Sequence, residues 1–575
     1  MKNRELANIF EQMADLLEIL DQDPFRINSY RKVARIIGDL TEDIEDLSKQ
    51  GTVGELPGVG KNTAGRIEEY FKTGRITAHQ ELLKQVPAGL PALLDISGLG
   101  PKTIAKAWQG LGVKSLEELQ QVIDDGRLAE LPGLGQKKVE QIARGIAFRQ
   151  RSAGRTPLGM ALPIAEQIAE QLREISGVSR VEIAGSVRRR CETIGDVDLL
   201  VQATQGKKVI EAFVKFDGIN EVLTSGTTKA SVLLEEGFQV DVRVVPKKSF
   251  GAALAYFTGS KEHNVAVRGI AVDKKLKLNE YGLFKGSKAV AGATEESIYS
   301  KLDLPYIEPE LREDRGEIQA AQQGSLPRLL EISDIRGDLH MHTTASDGTT
   351  TIEELAQAAK AMGYEYVAVT EHSASSAIAH GLNAERLLKQ IEKVRQADAR
   401  IKGIKILASA EVDILADGSL DYPPTVLAKL DLVTASIHSG LAGSAQKVTS
   451  RLLKAMENPY VDIIGHPTGR LLGEREAMDL DMEKIIAAAA ERGMAMELNS
   501  HWARLDLKDA NLRMAKEYGV KIAICTDAHS IEDLQNIRYG IWTARRGWLE
   551  AGDVLNAKTA DELAKWVHTR RKANK

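Results

Sequence analysis

The chain has 575 residues, 43% hydrophobic and 27% charged, with a formal net charge of −5 at pH 7. Such a length predicts about four domains, the composition is that of a globular protein, and the mild acidity confines any nucleic-acid footprint to local patches. No apolar run approaches the ~20 residues of a membrane span, and the two cysteines, Cys191 and Cys525, exclude a disulfide framework and fit a reducing cytoplasm. The opening stretch MKNRELANIFEQMADLLEIL is interrupted by acids and does not read as a signal peptide. Its residues Leu6, Ile9, Phe10, Met13, Leu16 and Leu17 recur at helical spacing, which predicts a helix with one buried face.

Three near-repeats follow: LPGVGKNTAGRI (56–67), ISGLGPKTIAKA (96–107) and LPGLGQKKVEQI (131–142). Each reads apolar, turn residue, Gly, apolar, Gly, then the start of an amphipathic helix. The glycine pairs Gly58/Gly60, Gly98/Gly100 and Gly133/Gly135 permit a tight turn that leaves a helix N-terminus open to a phosphate. The pattern resembles the helix-hairpin-helix motif, which grips the DNA backbone without reading sequence.

Next, VEIAGSVRRRCETIGDVDLLV (181–201) runs from an apolar strand into Gly185-Ser186, then Arg188 and Arg189, then a second strand carrying Asp196 and Asp198. Carboxylates two apart on a strand share a face. Without a cation they would repel and shift each other's pKa; with two divalent ions they become ligands for in-line phosphoryl transfer. FQVDVRVV (238–245) supplies the expected third carboxylate, Asp241, with Arg243 on the same face.

On these motifs, residues 1 to about 315 resemble a family X DNA polymerase, similar to DNA polymerase beta. The G-S-x-R-R turn and D-x-D match that family's palm motif, and Asp241 its third metal ligand, best placed to help deprotonate the primer 3′-OH. AYFTGSKEHNVAVR (255–268) resembles its nucleotide pocket. The resemblance implies that Tyr256 and Phe257 flank the incoming sugar, with Gly259 at a tight turn. It puts Asn264 at the minor-groove edge of the base and Arg268 on the template side. Gly185, Ser186, Arg189 and Gly195 would form the triphosphate cradle. Lys261 departs from the pattern, since polymerase beta has an acid there. INSYRKVARII (27–37) and the first hairpin resemble that family's lyase domain, but Arg66 stands where its Schiff-base lysine would be, and a guanidinium that stays protonated is no amine nucleophile. Asn62 also replaces a lysine, and acidic side chains outnumber basic ones over residues 1–90. Lyase activity is therefore not expected there, and Lys61 is the available substitute.

Residues 301–333 are polar and punctuated by Pro and Gly, reading as a linker with a short helix. Beyond them, seven apolar runs alternate with amphipathic stretches, the mark of β/α units: IRGDLHMH, YEYVAVTEH, GIKILASAEVD, LDLVTASIH, VDIIGH, GMAMELN and VKIAICTDAH. Six end in a candidate ligand: His340 and His342, His372 beside Glu371, Glu411, His438, His466, and Asp527 with His529. Loop residue Asp347 joins them. β/α barrels gather their active sites at the C-terminal strand ends. These ligands exceed what one zinc ion needs, so two or three ions are expected, and a thiolate-free N/O set suits Mn or Zn. His501 reads as a pocket wall and His380 as a surface residue.

The set resembles a PHP (polymerase and histidinol phosphatase) domain. This domain order over almost the whole chain is that of the bacterial family X polymerases, which implies a Mn-dependent 3′–5′ exonuclease in the second half, an AP endonuclease activity being attributed to some members. The expected architecture is multidomain α and α/β. It comprises a lyase-like helical domain (1–85), helix-hairpin-helix domain (86–152), nucleotidyltransferase palm with a mixed sheet (153–247), nucleotide/template subdomain (248–316), linker (317–333) and a distorted seven-stranded PHP barrel (334–575). The expected activity is DNA-directed DNA synthesis filling short gaps in repair, coupled to 3′-end resection. Expected partners are two Mg or Mn ions in the palm, dNTPs, and gapped or nicked DNA with its 3′ ends, for a cytoplasmic monomer with no membrane partner. The alternative is an active PHP phosphoesterase carried by an otherwise non-catalytic DNA-end-binding scaffold.

Overall fold

A computed structural model describes residues 2–38, 40, 44–56, 58–94, 96, 98–152 and 154–574. The chain divides into two compact units, Met1–Ala153 and Gly154–Lys575.

Every secondary-structure element among the described residues of the first unit is a helix. Its opening helix, Lys2–Ile19, buries Leu6, Phe10, Met13, Leu16 and Leu17, with Ile9 half-buried beside them, so the apolar stripe is the core face. The leading glycine of each hairpin, Gly58, Gly98 and Gly133, has a positive φ of +94°, +87° and +80°, backbone that favours glycine. Gly60 and Gly100 cap the helices Lys61–Thr73 and Pro101–Leu111. A Cβ at Gly60, Gly100 or Gly135 would meet nothing within 4 Å, so these backbones are open. Pro57 and Ser97 of the repeats lie outside the described residues. The second and third hairpins brace each other reciprocally. Lys106 Nζ donates to the Pro132 carbonyl at 2.7 Å, while the Gln141 side chain crowds Gly98. Both come from the same position of their repeats, which makes the pair a pseudo-symmetric tandem.

The second unit holds three sheets beyond the two-residue pair β1 (Thr156–Pro157) and β3 (Thr193–Ile194). The palm sheet comprises β2 (Val178–Ile183), β4 (Asp196–Ala203), β5 (Ile219–Ser225), β6 (Lys229–Leu234) and β7 (Gln239–Val245), in the order β2-β4-β7-β6-β5. Only β4 and β7 pair in parallel, which makes the sheet mixed. A small antiparallel sheet follows, of β8 (Lys277–Asn279), β9 (Gly282–Lys285) and β10 (Lys288–Ala291).

The third sheet runs in sequence order, all parallel: β11 (Gly337–Met341), β12 (Tyr366–His372), β13 (Lys405–Asp413), β14 (Leu432–Ser436), β15 (Ile463–Ile464), β16 (Ala495–Asn499) and β17 (Lys521–Cys525). These are the seven runs of the sequence, buried on both faces as parallel strands under crossover helices must be. A bridge from Met341 to Ala528, with the His342 N–H donating to the Ala528 carbonyl at 2.8 Å, nearly closes the barrel.

Residues 317–333 are packed rather than trailing. Helix Glu317–Gln323 buries Ile318, Ala320 and Ala321, and Leu329 and Leu330 are also buried, so the polar residues read from the sequence cover an apolar underside. Leu472, Leu505 and Tyr539 of the barrel half belong to the palm core, and Trp548 to the core of the small sheet. Gly159 of helix Leu158–Arg173 lies so close to Trp502 that a Cβ there would stand 2.3 Å from the Trp502 Cβ.

Candidate active sites

In the palm, parallel register sets Asp198 directly opposite Asp241, and Asp196 opposite Gln239, whose amide donates to Asp241 at 3.1 Å. The turn ahead of β4 is built around the same carboxylate. Gly185 has φ +60°, and a Cβ on it would stand 2.3 Å from Asp198 Oδ2, so only glycine fits. Burial, then the Asp196 and Asp241 carboxylates, push the Asp198 carboxyl up to about 7. Three acids held this way suit divalent cations.

Around them, Arg189 donates through Nε to Glu313 at 3.0 Å and through Nη1 to the Thr258 carbonyl. Arg188 reaches the Thr258 hydroxyl at 2.6 Å and makes a two-pronged pair with Glu295, at 3.0 and 2.6 Å. Ser186 lies with it on the short helical turn Gly185–Arg188, and Gly195 in the turn between β3 and β4. Tyr256, exposed, packs edge-on to Phe257 with ring centres 5.1 Å apart, and the Arg243 guanidinium lies 4.4 Å from the Phe257 ring centre. Gly259 (φ +68°) ends helix Phe250–Thr258, which carries both rings; Asn264 Nδ2 donates to the Tyr256 carbonyl at 2.7 Å, and Arg268 Nε to the Asn264 carbonyl at 3.2 Å. Lys261 opens helix Lys261–Asp273.

At the barrel mouth, all nine sequence-predicted side chains converge. Three ligand sets have their donor atoms within 4.8 Å of one another: His342, Asp347, His372 and His529; His340, His342 and Asp527; and His372, Glu411 and His438. His466 Nε2 joins at 2.8 Å from Glu411 Oε1. The palm acids are not drawn that tightly among the described residues. His342 stacks between His372 and His529, 4.3 and 4.4 Å away. Burial, then these two neighbours, push its imidazole down to about 3. Burial opposes charge on Glu411, yet His438, His340 and His372 hold its carboxyl well below the usual range. Nε2 of His340, Nδ1 of His342 and Oε2 of Glu411 are buried without a hydrogen-bond partner among the described residues. Buried polar atoms left open, belonging to these candidate sets and of N/O ligand type, fit divalent metal ions. Two of the nine, His466 (φ +23°) and Asp527 (φ +54°), sit in left-handed backbone that non-glycine residues rarely adopt, strain of the kind that gathers at functional sites.

Sequence reading missed the residues that hydrogen-bond to these candidate ligands. The one strand without a terminal ligand, β16, carries Glu497, which accepts from His340 Nδ1 at 2.7 Å and from the His466 N–H. Asp413 accepts from His438 Nδ1 at 2.6 Å, and Asn499 Nδ2 donates to Asp527 at 2.9 Å. Such partners fix the imidazole tautomer and aim the other nitrogen at the ion. The available signal was acids two apart in E-V-D and the lone acid of MAMELN. Glu371, by contrast, turns away to accept from Thr343, Ser346 and Gln390. His501 stacks on Trp502 beside the site, and His380 is exposed. In the first unit the Arg66 guanidinium lies 5.4 Å from the Tyr30 ring centre, and Lys61 is exposed at the head of its helix.

Fold and sites together define a nucleotidyltransferase palm joined to a metal-dependent PHP barrel, behind tandem helix-hairpin-helix elements. Family comparisons agree: helix-hairpin-helix domain over residues 1–76, SAM-like helix-hairpin-helix tandem over 90–147, DNA polymerase beta thumb over 253–313, and PHP domain over 338–501. The chain is 37% identical to the "DNA polymerase/3'-5' exonuclease PolX" of Bacillus subtilis (strain 168), over 98% of this chain and 99% of that protein. It is 32% identical to a "Probable phosphatase" of Thermoanaerobacter sp. (strain X514), over 38% of this chain and 89% of that one. It is 26% identical to DNA polymerase lambda of Rattus norvegicus, over 54% and 57%. The chain belongs to the PolX family of bacterial family X DNA polymerases. No helix among the described residues is long and apolar enough to cross a membrane.

Proposed function

We infer that the chain is a DNA-directed DNA polymerase with a 3′–5′ exonuclease, using DNA and dNTPs as substrates and divalent metals in both sites. The observation that carries this is the presence, in one chain that matches a PolX protein over 98% of its length, of three neighbouring palm carboxylates and a dense His/Asp/Glu cluster at the mouth of a PHP barrel. Gapped or nicked DNA and its 3′ ends are the substrates proposed, in DNA repair, for a monomeric enzyme. We assign two Mg or Mn ions to the palm and two or three Mn or Zn ions to the barrel.

Asp196, Asp198 and Asp241 hold the palm ions, and Asp241 helps take the primer 3′-OH proton. Ser186 and Arg189 orient the triphosphate within the cradle of Gly185 and Gly195. Tyr256 and Phe257 wall the sugar, Gly259 lets the chain turn beside it, Asn264 meets the base edge, and Arg268 and Arg243 face DNA. Gly58, Gly60, Gly98, Gly100, Gly133 and Gly135 present backbone N–H groups to DNA phosphates. In the barrel, His340, His342, Asp347, His372, Glu411, His438, His466, Asp527 and His529 hold the ions, while Glu497 and Asp413 keep two of those imidazoles aimed. The bound ions supply Lewis acidity and charge neutralisation to phosphoryl transfer in both sites.

A labelled gapped duplex with Mg or Mn, with and without dNTPs, tests this: extension with dNTPs and 3′ shortening without them are expected. A phosphatase relative matches 38% of the chain, so a sugar phosphate is the competing substrate. Its hydrolysis with no action on an oligonucleotide would establish the phosphoesterase-only reading instead.

A further inference from the structure

Helix Ile537–Arg546 belongs to the barrel half, but its last residue ends in the polymerase. Arg546, 8% exposed at its side chain, donates through Nη1 to the main-chain carbonyl of Arg189 at 2.8 Å and to Glu313 Oε1 at 2.9 Å. Through Nη2 it donates to Asp509 at 3.0 Å. The same Glu313 oxygen accepts from Arg189 Nε at 3.0 Å. One carboxylate oxygen thus joins the palm arginine to the barrel arginine, and a second bond from Arg546 pins the backbone from which Arg189 springs. Asp509 holds Arg546 from behind, on helix Asp509–Glu517.

We propose that Arg546 is a positioning residue for the polymerase, through which the PHP domain sets the nucleotide affinity of the palm. A planar guanidinium holds a carbonyl and two carboxylates through donors in fixed, separated directions, whereas a lysine would have to reach all three from one compact ammonium. Glu313 needs that second cation. Paired with Arg189 alone, it would be free to draw the Arg189 fork onto itself and compete with a triphosphate for the same donors. With Arg546 in place, Glu313 is shared, and Arg189 is held through Nε and Nη1, edge-on, with Nη2 bonded only weakly to Cys191 Sγ at 3.8 Å. Nη2 is then the donor offered to a phosphate oxygen. The side-chain hydrogen-bond partners of Arg546, namely Arg189, Glu313 and Asp509, are in none of the barrel's candidate ligand sets, so its loss separates the two activities.

The inference rests on Arg189 binding the triphosphate, and the test keeps the two ideas apart. Steady-state gap filling is measured for the full-length native enzyme, Arg189→Ala, Arg546→Ala, Arg546→Lys and Glu313→Gln, with exonuclease and thermal unfolding in parallel. Arg546→Ala is expected to raise the dNTP KM about tenfold with kcat within about threefold, the loss of one or two charge-assisted bonds. Exonuclease should stay unchanged, and Arg546→Lys should recover only part of the KM. Glu313→Gln, which keeps shape and removes the shared charge, should shift KM in the same direction and add little when combined with Arg546→Ala. A raised KM in Arg189→Ala alone, with Arg546→Ala and Glu313→Gln within twofold of native, would overturn the proposal. An unchanged KM in Arg189→Ala would overturn the triphosphate assignment beneath it. If Arg546→Ala does not fold, Glu313→Gln and Arg546→Lys decide the matter by the same readout.

Discussion

Nε2 of His342 lies 3.1 Å from Oδ1 of Asp527, although the two residues are 185 positions apart. One leaves the first strand of the barrel and the other follows the last, so only near-closure of the parallel sheet makes them neighbours. Removing either should therefore do the same damage. His342→Ala and Asp527→Ala are each expected to cut exonuclease by on the order of a hundredfold or more, as loss of a metal ligand should exceed the 10–100-fold cost of losing its supporting partner. Both should lower metal content by elemental analysis, with gap filling retained. Full nuclease activity at unchanged metal content in either variant would remove the shared cluster.

Glu497 makes a subtler case, because it supports ligands without facing the ions itself. Glu497→Gln should keep the fold and the ligand set yet lose roughly 10–100-fold in metal affinity or activity, since His340 and His466 lose their common anchor. Titrating Mn into the variant should restore part of the rate, a recovery that a simple folding defect would not show.

In the palm, Asp196→Ala with Asp198→Ala should reduce dNTP incorporation by on the order of a thousandfold, since metal stabilisation of phosphoryl transfer is worth several kcal/mol and each 1.36 kcal/mol is tenfold. Exonuclease measured on single-stranded DNA should stay near normal. Parallel loss of both activities in a folded protein would contradict two separate sites.

The hairpin at Gly58 offers amines, but not at the Schiff-base position. Arg66 lies against Tyr30, and a Cβ at Gly58 would stand 3.2 Å from Lys32 Nζ. Borohydride trapping on an incised abasic substrate should leave little crosslink in residues 1–90. Strong trapping, mapped to Lys61 or Lys32 by peptide analysis, would reverse that conclusion.

Stability in acid follows from Glu295. Burial alone would raise its carboxyl, but Arg312 and Arg188 beside it win and hold it down at about 2, against 4.5 for a free glutamate. A folded-state value below the unfolded one stabilises the fold above the unfolded pKa. That contribution, on the order of 3 kcal/mol from 1.36 kcal/mol per pKa unit, is lost as pH falls through the folded value. Glu295→Gln should lose about that much at pH 7 by urea unfolding, and its gap from the native protein should close between pH 4.5 and 2. A gap independent of pH would mean that packing, not charge, is the contribution.

The sequence alone determined the element types and named the candidate side chains that meet at the barrel mouth. Those depend on local rules: period-two alternation in β4 and β7, seven apolar runs ending in His, Asp or Glu, and glycines where the hairpins need positive φ. Tertiary structure decided what those residues touch. Glu497 looked like an ordinary acid in MAMELN until β16 took its place near the barrel seam and put it against His340. Residues 317–333 read as polar because their apolar underside meets partners distant in sequence. Arg546 gave no sign of reaching Arg189, 357 positions away, because nothing in a chain's local pattern records which helix end will close on which turn. That pairing is set by the packing of whole domains, where burial makes a shared carboxylate worth more than it would be in water.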